Sequence, residues 1–314
     1  MKPIIVYPGS KYDFYPEIRE RVPKDIRVLC EPFVGGGSTM LNLLGDMEFN
    51  IEKVILGDLS PRVAAFWQSI VSDPIGLADK FDELFKPFDE ALSRLGARRQ
   101  AYLDIEWFGQ LKDGAPTGSE DRYNKIAAVR ADIYKYHAAL QEMVLTDPVT
   151  TGAHLALMHN ISYSGVAYLG GVSYQRAAKT NLGSKQAMFK RASKLLSYAE
   201  AEVYCGDFSD TCSHAENLGG AFIYLDPPYV FQAEKLYEQG DFDHERLSQY
   251  LLGLSGDVRY LLSYDDSVLT RSLYRGNDGV YINTYKLPRG YCAGSAGKEN
   301  ALNGEELFIS NYKL

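Results

Sequence analysis

No apolar run in this chain of 314 residues approaches the ~20 residues that cross a bilayer. The apolar patch at the N-terminus stops at Pro8 with no small-residue cleavage site, so neither a membrane span nor a secretory signal is expected, and the protein reads as cytoplasmic. Cysteine is scarce. Cys30, Cys205, Cys212 and Cys292 are scattered without metal-ligand spacing, which predicts reduced thiols and no zinc or other metal site. Acid is missing from one long stretch: between Asp147 and Glu200 the charged residues are Arg176, Lys179, Lys185, Lys190, Arg191 and Lys194. The net charge is nevertheless −8, so the remainder is strongly acidic. Solvated surfaces normally mix both signs, and the segregation marks a candidate face for a polyanion, with chance as the alternative.

What is present is an ordinary globular composition, 46% hydrophobic and 24% charged, long enough for one large domain with a smaller one inserted or appended. Ile26 to Phe33 reads as a strand, a glycine loop follows, and a helix starts over Ser38 to Leu44. A second strand covers Lys53 to Leu56, after which Ser60 and Pro61 supply an N-cap and first-turn proline for RVAAFWQSIV. From Asp73 to about Glu142 the pattern is helical, broken at KDGAPTGSED. From His159 to Ser184, Gly, Ser, Tyr and Asn dominate and predict loops or hairpins. Strand patterns return at AEVYC, AFIYLD, VRYLLSY, GVYINTYKL and EELFISNY, the last two resembling an antiparallel hairpin that closes a mostly parallel sheet. The expected fold is α/β, with residues 1–70 and 201–314 as its core and 71–200 as a mainly helical insert.

Two stretches carry chemistry. In AFIYLDPPYVF a short buried strand stops at Asp226, Pro227, Pro228 and Tyr229. The prolines fix φ and lack N–H groups, so the segment is a rigid rim of acceptors with a ring beside it, though a simple proline turn would explain the prolines alone. Ligands of open α/β sheets gather at such strand ends. In LCEPFVGGGSTM a strand ends at Phe33, and Gly35, Gly36 and Gly37 lead into a helix, letting backbone approach a ligand closely. About twenty residues on, Asp58 ends the second strand where a carboxylate can accept from ribose hydroxyls. A nicotinamide enzyme would use the same device, but Ser38, Thr39 and Met40 follow without the third glycine, which favours a nucleoside ligand over a dinucleotide.

YPGSK at 7–11, EPFVGGGS at 31–38, GD at 57–58, CGDF at 205–208, DPPY at 226–229 and EELFISNY at 305–312 stand in the order seen in Dam-like DNA adenine-N6 methyltransferases of the D12 class, and the chain resembles that family over almost its whole length. The resemblance implies a Rossmann-like methyltransferase sheet, residues 71–200 as target-recognition domain, S-adenosylmethionine as methyl donor and double-stranded DNA as partner. It further implies a nucleoid-associated protein and a possible cognate restriction endonuclease. By position, Tyr7 and Lys11 match the N-terminal cofactor motif and Asp58 the ribose-binding acid. Asp207 and Phe208 fall where the cofactor adenine is held, with Phe33, Gly35, Gly37 and Asp226 completing the cofactor set. The DPPY residues would then act on a flipped-out adenine. Asp226 and the Pro227 carbonyl would each accept an N6 hydrogen, and Tyr229 would stack on the base.

The insert departs from the family. GATC-reading members tend to carry Asn-Arg-Tyr and Asn-Val-Pro-Phe-Gly, whereas this chain has HNISYSG at 159–165 and YLGGVSYQR at 168–176, leaving the target sequence open. Tyr7 replaces a tryptophan and Ser10 a glycine. Candidate DNA contacts are Asn160, Tyr163, Ser164 and Gln175 for bases and Arg176, Lys179 and Lys185 for phosphates. The alternatives are methylation of cytosine N4 or of a protein glutamine, which favour Ser or Asn in place of Asp226, and a catalytically silent DNA-binding regulator.

Overall fold

A fully buried run such as AFIYL, apolar on both faces, suits an interior strand of a parallel sheet. In the computed structural model, which describes residues 1–112, 114–163, 171–230, 242–286 and 305–314, that run pairs on both sides. Strands β1 (Val28–Glu31), β2 (Lys53–Asp58), β3 (Glu202–Cys205), β4 (Ala221–Leu225) and β5 (Arg259–Asp265) run parallel in the order β3-β2-β1-β4-β5. The sheet ends with β7 (Glu305–Ser310) between β5 and β6 (Tyr281–Lys286), antiparallel to both. This seven-stranded mixed sheet has the Rossmann-like α/β arrangement. Strand order reverses between β1 and β4, so ligands are expected at their carboxyl ends.

Helices α1 (Tyr15–Arg21) and α2 (Ser38–Leu44) flank β1 in sequence, and α3 (Pro61–Ser72) follows β2. Then come α4 (Pro74–Ser93), α5 (Arg98–Gln110), α6 (Glu120–Gln141), α7 (Pro148–Ile161), α8 (Tyr174–Lys179) and α9 (Leu182–Tyr198). Helices α10 (Phe208–Glu216), α11 (His244–Leu252) and α12 (Val268–Tyr274) lie among the later strands.

The chain divides into two compact units. Met1–Pro3, Pro8–Ala64 and Ala192–Leu314 form one, which holds the whole sheet, and Ile4–Tyr7 with Ala65–Arg191 form the other. The second unit packs Phe66, Trp67, Phe81, Phe85, Phe88 and Phe189 into its core. A Cβ at Gly152 of α7 would stand 2.8 Å from the Phe66 Cα, so only glycine lets α7 lie this close to α3.

The described part of the segment expected as loops or hairpins holds helix at both ends as well as a hairpin-like pairing. Helix α7 runs through Ile161, and α8 and α9 follow, while Ser162 and Val172 form an antiparallel bridge and residues 164–170 lie outside the described residues. The reason is capping: Ser173 Oγ accepts from Arg176 N–H and Asn181 Oδ1 accepts from Ser184 N–H, so the polar residues that suggested turns serve as helix starts. The Gly-rich connection between β6 and β7, including Cys292, lies outside the described residues, as does Ser164.

Candidate active site

At the carboxyl ends of β1, β2 and β3 the backbone is tied into one cradle. Val34 N–H donates to Gly57 O at 2.9 Å and Gly206 N–H to Asp58 O at 3.1 Å. Gly35 and Gly37 take φ of 42° and 61°, a region that L side chains rarely adopt. The turn this permits aims Gly35 N–H at Asp58 Oδ2 (3.0 Å), while Ser60 N–H reaches Oδ1 (2.9 Å). Burial pushes the Asp58 carboxyl up to about 6, although both amides pull it down. Beside this acid stands an aromatic cluster: Phe33 stacks on Phe208 with centroids 5.7 Å apart, and Phe242 meets Phe33 edge-on at 5.5 Å.

Asp207 caps α10 by accepting from Ser209 N–H, and Arg246 grips both its oxygens at 2.8 and 2.6 Å. The guanidinium also lies 4.8 Å from the Phe208 ring centroid and holds the Asp207 carboxyl well below the usual carboxylate range. Arg246 was not legible in the motifs. It belongs to an otherwise unremarked helix start, HERLSQY, and only the packing of α11 brings it to Asp207.

At the end of β4, Lys11 Nζ lies 2.8 Å from Asp226 Oδ1 and 4.8 Å from the Tyr229 ring centroid. Its backbone N–H donates to Ser38 Oγ at 3.2 Å, which ties the N-terminal motif to the start of α2. Lys11 is 4% exposed. Burial works against its charge, but Asp226, Tyr229 and Glu306 outweigh that and hold the ammonium well above its ordinary range. Burial raises the Asp226 carboxyl, and Lys11 draws it part of the way back. Ser263 Oγ also addresses Asp226 Oδ1, at 3.5 Å, and bonds the Tyr224 hydroxyl at 2.9 Å. Lys11 and Ser263 thus converge on the same carboxylate oxygen, Oδ1.

Two further acids, Glu306 and Glu31, adjoin this lysine-aspartate pair, and a third, Asp265, adjoins Glu306. Glu306 Oε1 accepts from the Tyr229 hydroxyl at 2.7 Å and lies 3.9 Å from Lys11 Nζ. Asp265 Oδ1 accepts from Val230 N–H at 3.2 Å. Glu31, at the end of β1, is buried with its Oε1 unpartnered, and burial followed by the nearby Asp226 charge pushes its carboxyl well up.

The other predicted residues lie in the helical unit. Tyr7 stacks on His159 at 5.1 Å, whereas Lys11, four residues on, belongs to the sheet unit. Asn160 Nδ2 donates to Thr180 Oγ1 at 2.6 Å, and Tyr163 is exposed. Gln175 is half-buried with its amide nitrogen beside Gly109. Lys179 is exposed and lies over the Tyr102 ring at 4.3 Å. Lys185 donates to Ile4 O at 2.9 Å, and burial together with the neighbouring Arg176 charge lowers its ammonium to about 8. Arg176 is half-buried, and its Nη1 is buried without a hydrogen-bond partner.

Comparisons with known proteins give the family. The family model described as D12 class N6 adenine-specific DNA methyltransferase matches residues 7–286. The chain belongs to this family. It is similar to the type II methyltransferase M.MjaIII of Methanocaldococcus jannaschii, 24% identical over 331 residues that cover 99% of either chain. It is likewise similar to a DNA adenine methylase of Vibrio cholerae, 24% identical over 306 residues covering 92% of this chain and 90% of the relative. The type II methyltransferase M1.LlaDCHI of Lactococcus lactis subsp. cremoris is 20% identical over 327 residues, 99% of this chain and 96% of the relative.

As a D12 class enzyme the protein is a site-specific adenine methyltransferase: DNA is its substrate and it requires a methyl donor. The alternatives of a cytosine or glutamine enzyme and of a silent regulator are not favoured. Among the described residues no helix is long and apolar enough to cross a membrane, and no cluster of His, Cys, Asp and Glu is arranged to hold a metal ion.

Proposed function

We propose that the D12 methyltransferase takes its methyl group from S-adenosylmethionine and passes it to the N6 amine of an adenine flipped out of double-stranded DNA. The observation that carries this reading is Asp226, whose Oδ1 is occupied by Lys11 while Oδ2 has no hydrogen-bond donor among the described residues, at the end of the central strand and next to Tyr229. The donor supplies an electrophilic methyl on a positively charged sulfur. The residues present fit it: Asp58 is a half-buried acceptor for ribose hydroxyls, and the stacked Phe33 and Phe208 suit a purine ring. Gly35 and Gly37 clear the approach, Asp207 fixes Phe208 at the helix start, and the unpartnered Glu31 oxygen suits a cationic ligand. Lys11 acts here by orienting Asp226, and Tyr7 is proposed for the cofactor set from its place in the N-terminal motif.

The N6 amine is a weak nucleophile because its lone pair is delocalised into the ring. Asp226 and the Pro227 carbonyl, held rigid by Pro228, accept its two hydrogens and favour a pyramidal nitrogen. Tyr229 stacks on the base, a contact worth roughly 1–3 kcal/mol. Positioning and a fixed polar environment contribute most of the rate.

The helical unit reads the site. Arg176 and Lys185 are neighbouring cations with no carboxylate paired to them among the described residues, and Lys179, Lys190 and Arg191 are exposed, a set suited to phosphates. Lys185 is itself tied to the Ile4 carbonyl, so the exposed cations are the stronger phosphate candidates. Asn160, Tyr163, Gln175 and Ser164 are the proposed base readers. DNA binding would place the enzyme on the nucleoid. By likeness to the relatives named type II methyltransferases, we extend the proposal to a cognate restriction endonuclease as partner. Sequencing DNA from a host that expresses the enzyme tests the reading: N6-methyladenine confined to one sequence context is expected, and unmodified adenine throughout would overturn it.

A further inference from the structure

Glu306 stands where a fold has no reason to put an acid. It is 4% exposed and directly opposite Asp265 in the antiparallel register of β5 and β7. Like charges facing each other across a strand pair destabilise it. Each of the two acids also has a buried oxygen without a hydrogen-bond partner, Glu306 Oε2 and Asp265 Oδ2. Burial raises both carboxyls, with Asp265 adding to the effect on Glu306. Stability alone would favour a neutral pair at these positions.

Their remaining oxygens explain the arrangement. Glu306 Oε1 accepts from the Tyr229 hydroxyl and Asp265 Oδ1 from Val230 N–H, so two facing acids grip two consecutive residues after the prolines. The same Glu306 oxygen lies 3.9 Å from Lys11, which is 2.8 Å from Asp226. Strand β7 therefore reaches both working parts of DPPY, the ring through a hydrogen bond and the carboxylate through a shared lysine.

We propose that Glu306, seconded by Asp265, is a positioning residue for methyl transfer: it fixes the Tyr229 ring and divides the charge of Lys11 between itself and Asp226. The inference rests on the adenine-N6 reading of this site. Asp226 is faced by Lys11 and Glu31, by Tyr224 and Tyr229 of its own segment, by Ser263 on β5, and by Glu306 on β7. Of the acids in this set, Glu306 is the one that shares Lys11. Removing its charge gives Lys11 wholly to Asp226 and removes a like charge, so Asp226 should ionise at lower pH.

Three variants, measured by single-turnover methyl transfer and by binding of cofactor and DNA, test this. Tyr229→Phe and Glu306→Ala should each slow transfer by about 10- to 100-fold, by analogy with the loss when a group that orients a metal ligand is removed, with both affinities unchanged. Because they act through one hydrogen bond, the double variant should be no slower than Glu306→Ala alone. Glu306→Gln keeps an acceptor for the hydroxyl, so it should retain most of the rate while the acid limb of its pH-rate profile moves to lower pH. Additive losses in the double variant, or superimposable acid limbs for the wild type and Glu306→Gln, would assign Glu306 to the fold alone and overturn the proposal. A wild-type enzyme that methylates no adenine would instead overturn the underlying reading.

Discussion

Lys11 Nζ and Asp226 Oδ1 lie 2.8 Å apart, with Lys11 almost wholly withdrawn from water. A buried pair of this kind is poorly replaced by half of itself, because the surviving charge has no water to turn to.

Lys11→Met should therefore destabilise the protein by about 3–5 kcal/mol, the cost of an uncompensated buried charge. Adding Asp226→Asn to it should recover much of that loss. Denaturant melts of the two variants check the point, and a double variant as unstable as Lys11→Met would show that the pair is not coupled.

Asp58 links cofactor affinity to pH. Its carboxyl, raised to about 6, must be ionised to accept well from hydroxyls, so cofactor binding should tighten as pH rises from 5 to 7. Stability runs the other way. A carboxyl with a raised folded pKa stabilises the ligand-free protein most below its unfolded value, and that contribution is lost as pH rises through about 6. The loss amounts to about 3 kcal/mol at ~1.4 kcal/mol per pH unit. Calorimetry on Asp58→Ala should show weaker cofactor binding without the pH trend, with nonspecific DNA affinity spared.

The motifs at Gly35, Asp58 and Asp226 could be read without a structure because each is a local device: a turn needing positive φ, an acid ending a strand, a proline-stiffened rim. Glu306 and Arg246 could not. Glu306 gains its role from the register that sets β7 against β5, and Arg246 from the packing of α11 on Asp207, both long-range facts. Charge counting likewise treats Lys179 and Lys185 alike, while the fold leaves one exposed and bonds the other to a buried carbonyl. Tyr7 and Lys11 are four residues apart yet belong to different units, a partition that spacing does not reveal.

That difference between lysines reshapes the expected DNA response. Replacing Lys179, Lys190 and Arg191 with alanine should weaken binding to every sequence alike and flatten the salt slope by up to about one unit per lost phosphate contact. Lys185→Ala should instead cost about 1–3 kcal/mol of stability through the unsatisfied Ile4 carbonyl. An unchanged slope in the triple variant would put the DNA on another face. Replacing Gln175 or Asn160 should relax discrimination between sites, read as methylation spreading to near-cognate sequences.

The central claim is that the open oxygen of Asp226 holds the N6 amine during transfer. Incubating the wild type and Asp226→Ala with unmethylated DNA and S-adenosylmethionine labelled with tritium in the methyl group, then identifying the labelled base, tests it most directly. The wild type should label N6 of adenine, and Asp226→Ala, with its melting transition preserved, should label nothing. Turnover near the wild-type level in Asp226→Ala, or label on cytosine, would contradict the account.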